Sequence, residues 1–331
     1  MAATKSKESR DGVPLTNLDQ ELFDGAGATK RDLVDYLDAV SERILPGLTD
    51  RPLSVMRVRP GQPPFMQKNM PKYTPDWVAT MELWAEASKR NVRYGLCDDR
   101  QTLIWFANQR AVEYHVTLYR AAHMPRPTHL VLDLDPPESE LPAGFRAAMD
   151  AAKLVRAALA ELNLAGALKT SGAKGVHVIV PVDPATDPND AAAATRAIAE
   201  RAARLDPAIA TTAYIKTDRE DKVFVDSTRA HGATVIAAYS PRLRPGVPVS
   251  FPVPWADADD VHPSDFTIHN AISLLGDADP WAEALPAPQD LPADLVAEGH
   301  EIPVARVVAM HEGKRRKRAA EKAAEQADSS D

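Results

Sequence analysis

Segment 28–45, ATKRDLVDYLDAVSERIL, places Leu33, Leu37, Val40 and Ile44 at helical spacing behind Thr29, whose hydroxyl suits an N-cap. The pattern predicts one amphipathic helix. Beyond it the period shortens. LSVMRV (53–58), VRYGLC (92–97) and the alternating VEYHVTLY (112–119) read as strands, and the turn CDDR opens a helix over about 102–111. In the second half, HLVLDLD (129–135) is a strand. FRAAMDAAKLVRAALAELNL (145–164) is a helix with Phe145, Met149, Ala152, Val155, Leu159 and Leu162 on one face. ALKT (167–170) and GVHVIVPV (175–182) read as short strands, DAAAATRAIAERAARL (190–205) as a second helix, and KVFVD (222–226) and ATVIAAYS (233–240) as two more strands. The order β-α-β-β-α-β-β around one sheet implies an α+β or α/β layer rather than a bundle.

Prolines lie mostly between these elements, and SPRLRPGVPVSFPVPW (240–255) is expected to be extended and non-helical. Residues 1–12 read as disordered, 13–305 as one folded unit divided into an N-terminal subdomain (13–125) and a catalytic core (126–305), and 306–331 as a charged tail. With 331 residues, 44% hydrophobic and 26% charged, the chain has an ordinary globular composition. No stretch approaches the ~20 apolar residues of a membrane helix, and the N-terminus is polar, so a cytoplasmic protein with no membrane contact is expected. The single Cys97 can form neither an internal disulfide nor a cysteine zinc site, which fits a reducing compartment. A net charge of −8 argues against nonspecific coating of nucleic acid but leaves room for a locally basic groove. The basic run GKRRKRAAEKAAEQ (313–326) reads as a solvated tail.

Chemistry changes this picture at HLVLDLDPP (129–137). Strand alternation points Asp133 and Asp135 the same way, roughly 7 Å apart along the backbone, while Leu132 and Leu134 point into the core. Two ionised carboxylates there require a cation or a basic partner, and oxygen ligands of this kind suit Mg²⁺ or Mn²⁺. Pro136 and Pro137 end the strand at that point. KVFVDST (222–228) repeats the plan with Asp226. If the two strand ends are neighbours, three carboxylates make a ligand set for two metals about 4 Å apart; taken alone, Asp226 reads more readily as a strand-to-turn residue. Between them, KTSGAKGVHVIVP (169–181) offers a donor-rich loop, Ser171, Gly172, Lys174 and Gly175, followed by His177 in a strand. His115, Arg242 and Arg244 are further candidates for nucleotide contact, and Phe65 and Lys68 for base stacking and backbone contact.

D-x-D at a strand end, S-G-x-K-G-x-H opening the next strand and an apolar run ending in Asp on a third resemble the three motifs of the archaeo-eukaryotic primase superfamily. Within it, the chain resembles the polymerase domain of bacterial ligase D. That likeness also covers 15–37, 103–116 and 222–255. It implies an α+β fold with a primase-like catalytic core, an RRM-like β-α-β-β-α-β sheet with helices, fused to an N-terminal α/β subdomain. It implies a nucleotidyltransferase acting on gapped or broken DNA in non-homologous end joining, favouring ribonucleotides and manganese. Asp133, Asp135 and Asp226 would hold two divalent metals. Ser171, Lys174, Gly175, His177, His115 and Arg242 would hold the incoming NTP or dNTP. Asn17, Lys30, Phe65, Lys68 and Arg219 would contact DNA, Asn17 and Lys30 at a downstream 5′ phosphate.

Gln20 stands where the family usually has a further lysine. A neutral amide there is expected to cost on the order of 1 to 3 kcal/mol of phosphate binding. Met66 follows Phe65 where a second aromatic is common. The expected protein is a nucleoid-associated monomer, served by a separate ligase and an end-binding protein. The rival readings are a haloacid dehalogenase-type phosphohydrolase, which also uses D-x-D but normally without the two prolines, and a DNA-end binding module that has lost catalysis.

Overall fold

A computed structural model describes residues 8–85, 89–137, 143–230 and 233–304. Part of the expected disordered N-terminus is ordered: β1 (Ser9–Arg10) pairs antiparallel with β2 (Val13–Pro14), and Arg10 reaches Asp38 at 3.0 Å, so charge pairing fastens the segment to the first helix. The remainder, 1–7, and the whole of the expected charged tail, 306–331, lie outside the described residues.

Thr29 caps α1 (Lys30–Ala39) through a capping box: its hydroxyl accepts from the Asp32 amide, and the Asp32 carboxylate accepts from the Thr29 amide at 2.7 Å. Where the pattern predicts one helix the chain forms two. Val40, at φ −92° and ψ 3°, separates α1 from α2 (Ser41–Leu48). There follow β3 (Leu53–Arg59), β4 (Gln62–Gln67), β5 (Thr80–Ala85), β6 (Arg90–Gly95), α3 (Arg100–Asn108) and β7 (Ala111–Thr117). Asp99 starts α3 earlier than its pattern implies by accepting from the Thr102 amide, and Ala111, expected at the helix end, instead opens β7. The hydrophobic pattern misses β4 and β5. β4 carries Pro63 and Pro64, which an edge strand tolerates, and it pairs only with β3.

The second half contributes β8 (His129–Asp135), α4 (Ala143–Glu161), β9 (Ala167–Thr170), β10 (Val176–Pro181), α5 (Pro188–Leu205), β11 (Ala210–Thr211), β12 (Val223–Asp226), β13 (Thr234–Ile236), β14 (Pro252–Val253), α6 (Ala271–Leu275), α7 (Pro280–Ala284) and α8 (Ala293–Glu301). One six-stranded sheet runs β11-β12-β8-β10-β9-β14. Its central strands β12-β8-β10-β9, each antiparallel to its neighbour, arise from the chain order β8-α4-β9-β10-α5-β12, the RRM-like arrangement expected. Leu130, Leu132 and Leu134 are wholly buried on the face covered by α4 and α5. The alternate residues face the second sheet, β13-β7-β3-β6-β5, where Val131, Lys169 and Ile179 share a cavity of about 270 Å³ with Val116 and Val235.

The run ATVIAAYS departs from expectation. Only Thr234–Ile236 is a strand, and it leaves the catalytic sheet to pair with β7, Ile236 opposite His115. Tyr239, at φ 65°, turns the chain and prevents a longer strand. This crossing stitches the two halves together beside the site. No helix among the described residues is long and apolar enough to cross a membrane.

Candidate active site

Strand register lays a row of polar side chains across an otherwise apolar sheet. Asp226 on β12 pairs with Asp133 on β8, Asp133 with His177 on β10, and His177 with Lys169 on β9. Paired residues share a face, so these four stand side by side. Asp135, two positions along β8, joins them at the strand end, and oxygens of Asp133, Asp135 and Asp226 all lie within 4.8 Å of one another. Asp133 and Asp226 are each only 7% exposed.

Arg229, in the turn after β12, donates to Asp133 Oδ2 from Nε at 3.1 Å and Nη2 at 2.5 Å, and lies 3.6 Å from Asp226 Oδ2. It offsets one of three negative charges. Burial opposes ionisation of Asp133, yet neighbouring His177 and Arg229 hold its carboxyl well below the usual carboxylate range. Burial together with Asp133 and Asp226 pushes Asp135 up to about 6, the signature of a carboxylate short of positive charge. An all-oxygen donor set, with Asp133 and Asp226 buried, Asp135 more open and charge left uncompensated, fits hard divalent ions such as Mg²⁺ or Mn²⁺.

Beside the carboxylates lies a cavity of about 330 Å³ whose walls include Ser171, Lys174, Gly175, His177, His115 and Arg242, together with Asp133 and Asp135. The loop between β9 and β10 is shaped by its glycines. Gly172 adopts φ +68°, and a Cβ on Gly175 would fall 2.2 Å from the Leu134 carbonyl oxygen, so only glycine lets the loop cross β8 there. Ser171 Oγ accepts from the amides of Ala173 and Gly175, each at 3.2 Å.

Sequence reasoning missed three residues that hold this cavity in shape. Glu113 accepts from Arg242 Nε at 3.1 Å and the Leu243 amide at 2.9 Å and lies 2.8 Å from His115 Nε2. Burial works against it, but His115 and Arg242 bring its carboxyl down to about 2. Arg242 also donates to the Ser171 carbonyl at 2.5 Å. Glu113 stands two residues before His115 on β7, a same-face spacing that could have flagged it. Arg229, three residues after Asp226, is the second. Lys169 is the third: a lysine inside an apolar strand, 1% exposed, with Nζ 3.0 Å from His177 Nδ1 and 2.6 Å from Ser250 Oγ. Burial and Lys169 lower His177 to about 4, so its ring is neutral near pH 7.

The residues assigned to DNA lie on the flanks. Arg219 stacks over Phe224, its guanidinium carbon 3.9 Å from the ring centroid, and shares with Asp135 and Lys174 a cavity of about 500 Å³. Phe65 sits under Arg59, at 4.7 Å, and Arg57, at 5.7 Å; Lys68 is exposed just beyond β4. A groove of about 910 Å³ is lined by Gln20, Arg59, Arg110 and Arg244, and Arg244 also lines the catalytic cavity.

Lys30 does not offer the accessible ammonium that the resemblance implies. It is 2% exposed, with Nζ donating to the Thr16 carbonyl at 2.5 Å and Asn108 Oδ1 at 2.7 Å. Burial and nearby Arg110 lower its pKa to about 8. Asn17 sits in the same loop, at φ 52°, its carbonyl accepting from the Gln20 amide at 3.3 Å. Gln20 Oε1 accepts from Arg110 at 2.7 Å.

A β-α-β-β-α-β sheet whose central strands bring three carboxylates against a donor-rich loop defines a nucleotidyltransferase of the primase–polymerase class, which uses divalent metal ions. The chain belongs to the LigD primase-polymerase domain family, whose model matches residues 29–281. It is 34% identical over 263 residues to the multifunctional non-homologous end joining DNA repair protein LigD of Mycobacterium tuberculosis, covering 76% of this chain and 34% of that protein. It is 31% identical over 297 residues to the bifunctional non-homologous end joining protein LigD of Bacillus subtilis, covering 88% of this chain and 47% of that one. The chain thus spans between about a third and a half of these relatives. The structure superposes on the polymerase domain of M. tuberculosis ligase D in complex with DNA with a TM-score of 0.75 and 31% identity, covering 83% of this chain and 98% of that domain.

Proposed function

We propose that the protein adds nucleotides to DNA ends and gaps by template-directed nucleotidyl transfer, in non-homologous end joining, preferring ribonucleotides and Mn²⁺. The observation that carries this reading is the convergence of Asp133, Asp135 and Asp226 within 4.8 Å beside the Ser171–His177 cavity. Two divalent ions held by the aspartates would supply Lewis-acid activation of the attacking 3′ hydroxyl and stabilisation of the leaving diphosphate. The chain's own groups bind and orient. Lys174, Arg242 and the Ser171 loop take the triphosphate, His115 supports it from β7, and Arg219 lies at the rim where a primer end enters. Residues 126–305 carry the chemistry. Residues 13–125 contribute the DNA-facing groove, with Phe65 and Lys68 on the template side, and ligation of the filled end completes the repair.

A phosphohydrolase would need Asp133 free as a nucleophile, whereas here it is buried and bonded to Arg229. An inactive end-binding module would not need to retain all three carboxylates. Primer extension decides. On a gapped primer-template with NTPs or dNTPs and Mn²⁺ or Mg²⁺, metal-dependent extension with a preference for NTPs is expected. Release of phosphate from a simple monoester without extension would overturn the reading.

A further inference from the structure

The hydrogen bonds behind the polar row have a direction that can be worked out from one end. Ser250 has a single hydroxyl proton, which it donates to the Thr170 carbonyl at 2.8 Å. Its oxygen is therefore the acceptor for Lys169 Nζ at 2.6 Å. Lys169 Nζ also lies 3.0 Å from His177 Nδ1, and whether the amine carries two protons or three, one remains to donate to Nδ1 once Ser250 has accepted the first. At the far side of the ring, His177 Nε2 lies 3.3 Å from Asp133 Oδ1, on a carboxylate whose other oxygen accepts from Arg229. A bare nitrogen lone pair facing that oxygen would be repelled, and an N–H attracted. The Asp133 end thus requires the proton on Nε2, which in a neutral ring leaves the lone pair on Nδ1 to accept from Lys169.

We propose that Lys169 is a positioning residue that fixes the tautomer and ring angle of His177, so that Nε2–H is presented as a donor to the phosphates of the incoming nucleotide. His177 lines the catalytic cavity, whereas Lys169 stands behind it, wholly buried. Lys169 thus acts only through the ring. With the tautomer reversed, a lone pair would face a phosphate oxygen and the contact would turn repulsive. The phosphate half of this inference rests on the nucleotidyltransferase reading; the tautomer half does not.

The test uses the full chain and two readouts. Long-range ¹H–¹⁵N NMR of the histidine rings, with the His177→Gln spectrum assigning the signal, is expected to show the Nε2–H form in the native protein and a mixture in Lys169→Met. In primer extension, Lys169→Met is expected to raise KM for the nucleotide about tenfold, the scale of one lost hydrogen bond, with kcat within about twofold and Mn²⁺ affinity unchanged. If Lys169→Met does not fold, Ser250→Ala loosens the same lysine from its other end, and the same changes are expected at about threefold. An Nδ1–H or doubly protonated His177 in the native protein, or a variant with native tautomer and native KM, overturns the proposal. A tautomer change in a protein whose native form never extends a primer would uphold the Lys169–His177 coupling and reject the polymerase reading.

Discussion

Arg244 lines both the catalytic cavity and the groove around Gln20, and the two sites differ in where their polar atoms point. In the catalytic cavity three groups are backed by acidic partners from behind: Glu113 holds Arg242 and His115, and Asp133 holds Arg229. Lys174, also on the cavity wall, has no hydrogen-bond or acidic partner among the described residues. Around Gln20, two cations bond to the protein itself: Arg110, which lines the groove, and Lys30, which is buried near it. Arg110 donates to the Glu21 and Leu22 carbonyls and to Gln20, and Lys30 donates to Thr16 and Asn108. A basic surface binds phosphate only with the hydrogens its own fold leaves over. A strong nucleotide site beside a weak 5′-phosphate site is the expected result.

Removing the carboxylates should break the stronger site outright. Asp133→Ala or Asp226→Ala is expected to lower extension by on the order of a thousandfold or more, equivalent to about 4 kcal/mol of barrier, while leaving DNA binding in a filter or gel assay within a few-fold of native. Glu113→Gln keeps the shape but loses the charge that aligns Arg242; nucleotide KM in steady-state extension should rise at least about tenfold. The weaker site should respond in the opposite sense. Gln20→Lys is expected to raise the preference for a gap with a 5′ phosphate over one with a 5′ hydroxyl by about five- to tenfold in competition binding, consistent with one charge-assisted contact. A native protein that already prefers the phosphate strongly, with no gain from Gln20→Lys, would remove the contrast.

The smallest expected effect is on stability. Burial, Asp133 and Asp226 raise Asp135 to about 6, above its ordinary value, so between about pH 4 and 6 the folded state binds a proton there that the unfolded chain has released. Stability from this group therefore falls as pH rises through that window. In EDTA, native protein should lose on the order of 2 °C in melting temperature relative to Asp135→Asn between pH 4.5 and 6.5. Mn²⁺ should restore it at pH 6.5.

Much of the catalytic half was legible in the sequence because burial forces a clean pattern there. Strand β8 has apolar residues on one face and carboxylates on the other, and the prolines that follow mark its end. The loop glycines were legible for a related reason, since Gly175 crosses β8 where no side chain fits. What stayed hidden depends on contacts distant in the chain. Lys169 reads as one charge in a short strand until register sets it beside His177, and Glu113 gains its role from Arg242, 129 positions later. β13 reads as one more strand of the catalytic sheet, because nothing local says which sheet offers it an open edge. Lys30 matches its expected position in sequence, but its ammonium is turned inward by Thr16 and Asn108, whose separation along the chain conceals them.

The central claim is that Asp133, Asp135 and Asp226 form one divalent-metal site, and Mn²⁺ binding followed by electron paramagnetic resonance tests it most directly. Native protein with a non-hydrolysable nucleoside triphosphate is expected to bind two Mn²⁺ ions, and Asp133→Ala with Asp226→Ala to lose both at the same concentration. Unchanged Mn²⁺ binding in the double variant would contradict the account.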